Sequence, residues 1–212
     1  MGIQQWYDRR VLPGLIKLAC SQGQIMKRRS KLIPLASGAV FELGCGGGIN
    51  HEMYDPSAIT SYAGIDPHTG LLSVTREQAD ARFGASVDIR EGVGEDIPFA
   101  GSSFDTVVCT YTLCSVDDPD KVMSELRRIL KPGGRLLFLE HGRAPDANVS
   151  KWQKRIEPVW KRLCGGCHLT RPVGSALRGA GFDVEPLGRG YIPRAPRFAG
   201  WTEWGIARKA GA

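Results

Sequence analysis

Apolar residues fall along this chain in two rhythms. Short, near-continuous apolar runs predict buried strands over 39–43, 61–66, 86–90, 104–109, 135–140, 182–187 and 201–208. Between them lie longer stretches that predict helices over 49–55, 69–83, 117–130, 149–163 and 171–180. Two more helical stretches, 4–20 and 22–36, precede the first strand. In the earlier one Trp6, Val11, Leu12, Leu15 and Leu18 recur at helical spacing, and Pro13 kinks or restarts the helix. Asp117 and Asp118 favour a helix start there, since acids suit the positive end, and Lys131-Pro132-Gly133-Gly134 stops that helix and turns into the next strand. Gly181 ends the 171–180 helix. The proline-rich stretch from Pro186 to Pro196 reads as a loop between the last two strands. Strand and helix alternating in this way predict an α/β fold with a doubly wound sheet.

The first strand runs into glycine: Val40-Phe41-Glu42-Leu43-Gly44-Cys45-Gly46-Gly47-Gly48-Ile49-Asn50. Without a Cβ, such a loop can take positive φ and let a ligand lie against the backbone. A dinucleotide fingerprint starting at Gly44 needs its third glycine at position 49, which is Ile49. The spacing present is Glu42-x-Gly44-x-Gly46-x-Gly48. Glu42, at the strand end, can hold a cationic amine directly or through water. The second strand ends in Asp66, whose carboxylate either accepts two ribose hydroxyls in the ligand crevice or starts a surface turn with Pro67. Thr110 and Tyr111 leave the carboxyl end of the 104–109 strand.

Glu42-x-Gly44-x-Gly46-x-Gly48 resembles motif I of the class I S-adenosylmethionine (SAM) methyltransferases. Lys131-Pro132-Gly133-Gly134-x-Leu136 is similar to that family's turn before its fifth strand. The resemblance implies a Rossmann-like, seven-stranded sheet in the order 3-2-1-4-5-7-6, with the last strand antiparallel and helices on both faces. It implies SAM as cofactor, S-adenosylhomocysteine as product, and cofactor contacts at Glu42, Gly44, Cys45, Gly46, Gly48, Asp66, Pro67, Thr110 and Tyr111. The loop Gly92-Val93-Gly94-Glu95-Asp96-Ile97-Pro98-Phe99 resembles the family's adenine loop. Val93 stands where that loop has an acid, so Gly94, Glu95 and Asp96 are the candidate adenine neighbours and Phe99 is core. The implied organisation is a helical lid over 1–37 and a methyltransferase domain over 38–212.

A narrower resemblance covers Val108-Cys109-Thr110, Leu113-Cys114-Ser115-Val116, Glu140-His141, Pro158-x-Trp160 and Gly166-Cys167-x-Leu169-Thr170-Arg171. These segments are similar to the alkyl thiol S-methyltransferase family, which implies a small thiol as acceptor. His141 is then the catalytic candidate: it raises the thiolate fraction or acts as base, or else it hydrogen-bonds a neighbouring loop. Tyr7, Cys114, Trp160, His168 and Arg171 are the substrate-side candidates, with Tyr7 as the lid residue. His51 either touches the cofactor carboxylate or is exposed. Some family members carry a membrane anchor before the SAM domain; this chain is expected to have none. The broader group resembles phosphatidylethanolamine and quinone methyltransferases, so N-, O- or C-methylation of a headgroup or quinone stays open, as does a non-catalytic SAM-binding module.

Composition adds little to this picture except through charge and cysteine. The 212 residues suit one α/β core. No apolar run approaches the roughly 20 residues of a membrane span, and Asp8, Arg9 and Arg10 interrupt any signal-peptide pattern, so a cytoplasmic location is expected. The net charge of +6 favours anionic partners. Lys27, Arg28, Arg29 and Lys31 cluster, and Lys151, Lys154, Arg155, Lys161 and Arg162 recur at helical spacing. Both sets read as solvated helix faces, with weak contact to an anionic membrane surface as the alternative. No zinc-finger spacing or stacking platform supports nucleic-acid binding. Six cysteines in a cytosolic-type fold are expected reduced. Cys164-Gly165-Gly166-Cys167 has redox or metal-ligand spacing, but it lacks a second pair and does not open a helix after a strand, so it reads as a loop and no metal is expected.

Overall fold

In a computed structural model, the strands are β1 (Gly38–Leu43), β2 (Ile59–Asp66), β3 (Val87–Glu91), β4 (Phe104–Thr110), β5 (Leu130–His141), β6 (Phe182–Tyr191) and β7 (Trp201–Lys209). The helices are α1 (Gly23–Leu32), α2 (Thr69–Phe83), α3 (Pro119–Ile129), α4 (Ala147–Leu163), α5 (Val173–Gly179) and the single turn α6 (Arg197–Gly200). The structure describes residues 21–84 and 86–211, together with Tyr7, Arg10, Val11 and Gly14. The rest of the predicted 4–20 helix, including Trp6, Leu12, Leu15 and Leu18, lies outside the described residues.

The seven strands form one sheet in the order β3-β2-β1-β4-β5-β7-β6. β7 runs antiparallel to both its neighbours, and all other pairs are parallel. This is the expected class I methyltransferase topology. Helices cover both faces, so central strands are apolar on both sides. Phe41, Val107 and Phe138 pack with Val122, Met123, Leu126 and Ile129 of α3 on one face. Their chain neighbours Val40, Val108, Leu137 and Leu139 pack on the other, with Leu32, Leu72 and Ala79 from α1 and α2.

Four local expectations change. The predicted 49–55 helix is only a 3-10 turn, His51–Met53. Pro56 leaves too few residues for an α-helix, and the buried His51 and Tyr54 side chains hold the turn against the sheet. The stretch after Pro186 is not all loop: β6 continues to Tyr191, with its register shifting between Pro186 and Gly188. β6 is an edge strand, where a missing N–H is tolerated. β5 begins at Leu130, before the Lys131–Gly134 turn, and the β4–β5 register shifts between Phe104 and Thr106. Finally, α1 is part of the body. Ile25, Arg29 and Leu32 face inward, and Leu32, Ile33 and Ala36 belong to the core. Residues 23–36, expected within a lid, are therefore built into the sheet's cover.

Candidate active site

The carboxyl ends of β1 and β2 meet around the glycine loop. Gly44, Gly46 and Gly48 all have positive φ, at 71°, 47° and 73°. A Cβ on Gly44 would come within 2.2 Å of Thr112 Oγ1, and one on Gly48 within 2.4 Å of Gln78 Oε1. Those two glycines are needed for packing as well as for backbone conformation. Gly46 differs: its nearest neighbour would be Asp66 Oδ2 at 3.8 Å, and Gly47 faces open space. The loop is thus closed below and open above, a cradle for a ligand. Gly44 and Cys45 N–H groups donate to Ile65 O, and Gly46 N–H donates to Asp66 Oδ2 at 2.9 Å. Asp66 Oδ1 accepts from His68 N at 2.8 Å. Pro67, beside it, is exposed. Burial, with the Glu42 and Asp66 charges, pushes the Cys45 thiol far up, so it is an inert packing group.

Glu42 is buried and accepts hydrogen bonds from Asn50 Nδ2, Tyr54 Oη and Tyr62 Oη at 2.8, 2.7 and 2.7 Å. Three donors of the chain itself therefore surround the carboxylate. Asn50 Oδ1 in turn accepts from the Arg29 guanidinium at 2.6 Å, which also donates to Thr110 Oγ1 at 2.6 Å. Arg29 is 3% exposed, and its Nε has no hydrogen-bond partner among the described residues. Where the sequence predicts a solvated face for the basic cluster, Arg29 instead enters the crevice beside the Tyr111 ring. Neighbouring Arg28 stacks over Trp204 and donates to Tyr191 O, fixing α1 to β6 and β7. His51 is buried too, with Nε2 3.0 Å from Tyr62 Oη and its ring edge-on to Phe83, so it packs the aromatic cluster instead of being exposed.

The second half of the edge lies past β4 and β5. Tyr111 adopts φ 57°, a left-handed conformation uncommon for a side chain of this size. Glu140, fully buried, ties down the loop that follows. Its Oε1 accepts from Thr112 N, Leu113 N and Cys109 Sγ at 3.0, 3.1 and 3.4 Å, and its Oε2 from Cys114 N at 3.2 Å. Burial pushes the Glu140 carboxyl up to about 7, against the pull of those donors. Arg171 closes the loop from the other side, donating to Leu113 O and Val116 O at 2.6 Å each. His141, 5% exposed, points Nδ1 at Cys167 Sγ, 3.5 Å away, and its Nε2 is buried with no hydrogen-bond partner among the described residues. His168 N–H donates to Cys114 O at 2.7 Å, which brings the tail against the loop.

His141, Cys114, Arg171, Thr110 and Tyr111 therefore converge on one edge with the glycine loop and Asp66. The other candidates have partners of their own within the chain. The Glu95 carboxylate accepts from Asp117 N and Asp118 N, fixing the approach to α3, while Asp96 is exposed. Gly94 packs tightly, since a Cβ there would lie 3.0 Å from Val122. His168 faces Glu157 at 3.4 Å; burial, then the Arg171 and Lys161 charges, lowers its pKa. Trp160 packs edge-on against Phe198, and Tyr7 Oη donates to Leu163 O at 2.7 Å. The sequence alone assigns no role to Arg29, Asn50 or Glu140. Arg29 had a signal, because it shares the inward stripe Ile25–Arg29–Leu32 at helical spacing. A separate depression of about 270 Å³, lined by Ser37, Asp105, Arg135 and Arg208, opens at the amino end of the sheet, away from these residues.

The crevice fits the cofactor that the motifs imply. The open glycine backbone suits the body of a nucleoside, Asp66 suits ribose hydroxyls, and Arg29 sets a buried cation beside them, its Nε without a hydrogen-bond partner among the described residues. Among the described residues no cluster of His, Cys, Asp or Glu could hold a metal ion. A methyltransferase-domain family model matches residues 41–138. The chain is 37% identical to thiol S-methyltransferase TMT1B of Homo sapiens over 174 residues, covering 78% of this chain and 71% of that protein. It is 36% identical to TMT1B of Rattus norvegicus over 169 residues, covering 76% and 68%. In fold it is similar to the [4+2]-cyclase SpnF, with a TM-score of 0.71 at 19% identity over 99% of this chain and 96% of that one.

Proposed function

The chain belongs to the class I SAM-dependent methyltransferases, and from that premise we propose that its acceptor is a small, partly apolar thiol. The observation that carries this reading is the 37% identity to a thiol S-methyltransferase over most of the chain. SAM, when bound, supplies a methyl group already activated on a sulfonium, open to in-line displacement. What this chain adds is alignment, dry surroundings and control of one proton. The backbone of Gly44–Gly48 receives the nucleoside, Asp66 accepts the ribose hydroxyls, and Arg29 balances the cofactor carboxylate. Glu140 and Arg171 hold the 111–116 loop so that Cys114 borders the acceptor. His141 Nε2, buried and without a hydrogen-bond partner among the described residues, takes the acceptor's thiol proton or steadies the thiolate. A thiol needs no stronger base, because its free pKa of about 8.5 lies close to neutrality. Incubation with methyl-labelled SAM and matched panels of thiols, amines and quinols tests this. Label in a thioether is expected; label only in an amine or quinol product would overturn the acceptor assignment.

A second reading has one observation in its favour. Trp152, Val159 and Leu163 are exposed along α4, at 57, 60 and 51%, among Lys151, Lys154, Arg155, Lys161 and Arg162. Such a face suits shallow contact with an anionic bilayer and an acceptor drawn from it. Among the described residues no helix is long and apolar enough to cross a membrane. Sedimentation with anionic vesicles at low salt supports this reading; protein left in the supernatant counts against it.

A further inference from the structure

Cys167 carries the CxxC spacing with Cys164, yet its sulfur is engaged with other groups. Gly165 and Gly166 both take positive φ and turn the chain back, so that a Cβ on Gly166 would lie 3.2 Å from Ser115 O. The His168 N–H to Cys114 O bond of 2.7 Å then sets Cys167 beside Cys114, on the loop after β4. Three polar groups surround the Cys167 sulfur. His141 Nδ1 lies 3.5 Å away, and the Cys114 thiol, itself 3.5 Å from Ser115 Oγ, adjoins it. Trp160 Nε1 is its third neighbour, without a hydrogen bond of ordinary geometry. Cys167 is half-buried, whereas Cys114, Cys45 and Cys109 are buried.

We propose that Cys167 and Cys114 form a peroxide-reactive thiol pair, with Cys167 the attacking thiolate and Cys114 the resolving thiol. The Cys167 sulfur attacks a peroxide oxygen and the O–O bond breaks. The departing oxygen leaves as water after taking a proton, and Cys167 becomes a sulfenic acid. The Cys114 sulfur then attacks the sulfenyl sulfur, the S–O bond breaks, and a second water carries off the thiol proton. The two thiols lose two electrons in total and the peroxide is reduced to two waters.

The electrostatics fit this order of events. Hydrogen bonding from Cys114 first, and then His141, hold Cys167 well below the ordinary thiol range despite burial. The same contact holds Cys114 protonated, its pKa raised by that hydrogen bond, by burial and by the Cys167 charge. Sulfenylation removes the charge and frees Cys114 to react. Cys164 has no such support: burial and the Cys167 charge both raise it. A Cys114–Cys167 bond would also pin the 111–116 loop to the tail at the acceptor edge.

The full-length protein, treated with substoichiometric hydrogen peroxide and alkylated, is mapped by non-reducing peptide mass spectrometry. The expected product is a Cys114–Cys167 link, present in wild type and in Cys164→Ser, absent in Cys167→Ser and reversed by dithiothreitol. Iodoacetamide should label Cys167 about tenfold faster than Cys164, as its thiolate character dictates. A Cys164–Cys167 link, or oxidation spread over the cysteines without preference, would overturn the assignment. Neither readout depends on which acceptor is methylated.

Discussion

At the tips of β1 and β2 the site is a contiguous run of backbone; at the tips of β4 and β5 it is a set of side chains reaching in from separate segments. The first half needs Gly44, Gly46 and Gly48 in order, one acid on the next strand, and little else. The second needs Glu140 from β5, Arg171 from the segment before α5, and the His168 N–H from the turn after α4 to hold the 111–116 loop. A cradle made of backbone suits a cofactor used by many enzymes. A pocket assembled from distant side chains can change its acceptor by changing one segment.

Substitutions should separate the halves. The largest effect is expected from Gly44→Val. A side chain there meets Thr112 in a left-handed backbone, so it should cost about 3 kcal/mol or more in stability and abolish SAM binding. Thermal melts and calorimetric SAM titration check both. Asp66→Ala should weaken SAM binding by about 2–4 kcal/mol through lost charge-assisted hydrogen bonds, while leaving the acceptor half intact. An unchanged dissociation constant would remove Asp66 from the cofactor site.

His141→Ala tests the other half. Turnover should fall on the order of a hundredfold near neutral pH, with SAM affinity unchanged. The deficit should shrink as the acceptor thiol ionises by itself at higher pH; a pH-independent deficit in the rate profile would assign His141 to packing. Glu140→Gln should have the smallest effect. It keeps the shape but puts a donor where an oxygen accepts backbone N–H groups, costing about 2 kcal/mol. It also removes a pH slope. Burial raises the Glu140 carboxyl from its ordinary 4.5 to about 7 in the folded protein, so the native state holds a proton that the unfolded chain releases. Its contribution to stability is therefore fullest below 4.5 and declines as pH rises to about 7. Melting curves of wild type should lose ground to the Gln variant over that interval; parallel curves would contradict the assignment.

The same division explains what could be read from sequence. Both faces of the central strands are buried, so β1, β2 and β4 stood out as apolar runs, and the glycine spacing named the loop directly. The 69–83 helix has the expected ends, and Gly84 caps it. The acceptor half was legible only in fragments. Glu140 belongs to the Glu140-His141 segment of the narrower resemblance, but only the fold reveals that it faces four donors. Arg29 was hidden by its charged neighbours, although its position on the inward stripe of α1 was visible. The pairing of Cys167 with Cys114 depends on where two glycines turn the tail, which no local pattern encodes. The 49–55 turn failed for a tertiary reason as well, since His51 and Tyr54 are drawn to Tyr62 and Glu42.

The proposed function requires one crevice that joins the halves, with the cofactor's reacting sulfur facing from the glycine loop toward Cys114 and His141. A crystal structure with S-adenosylhomocysteine bound tests it most directly. Ribose hydroxyls on Asp66, with the sulfur turned toward the 111–116 loop and His141, are the predicted result. Density for the nucleoside at the amino end of the sheet, or a sulfur facing away from that loop, would contradict it.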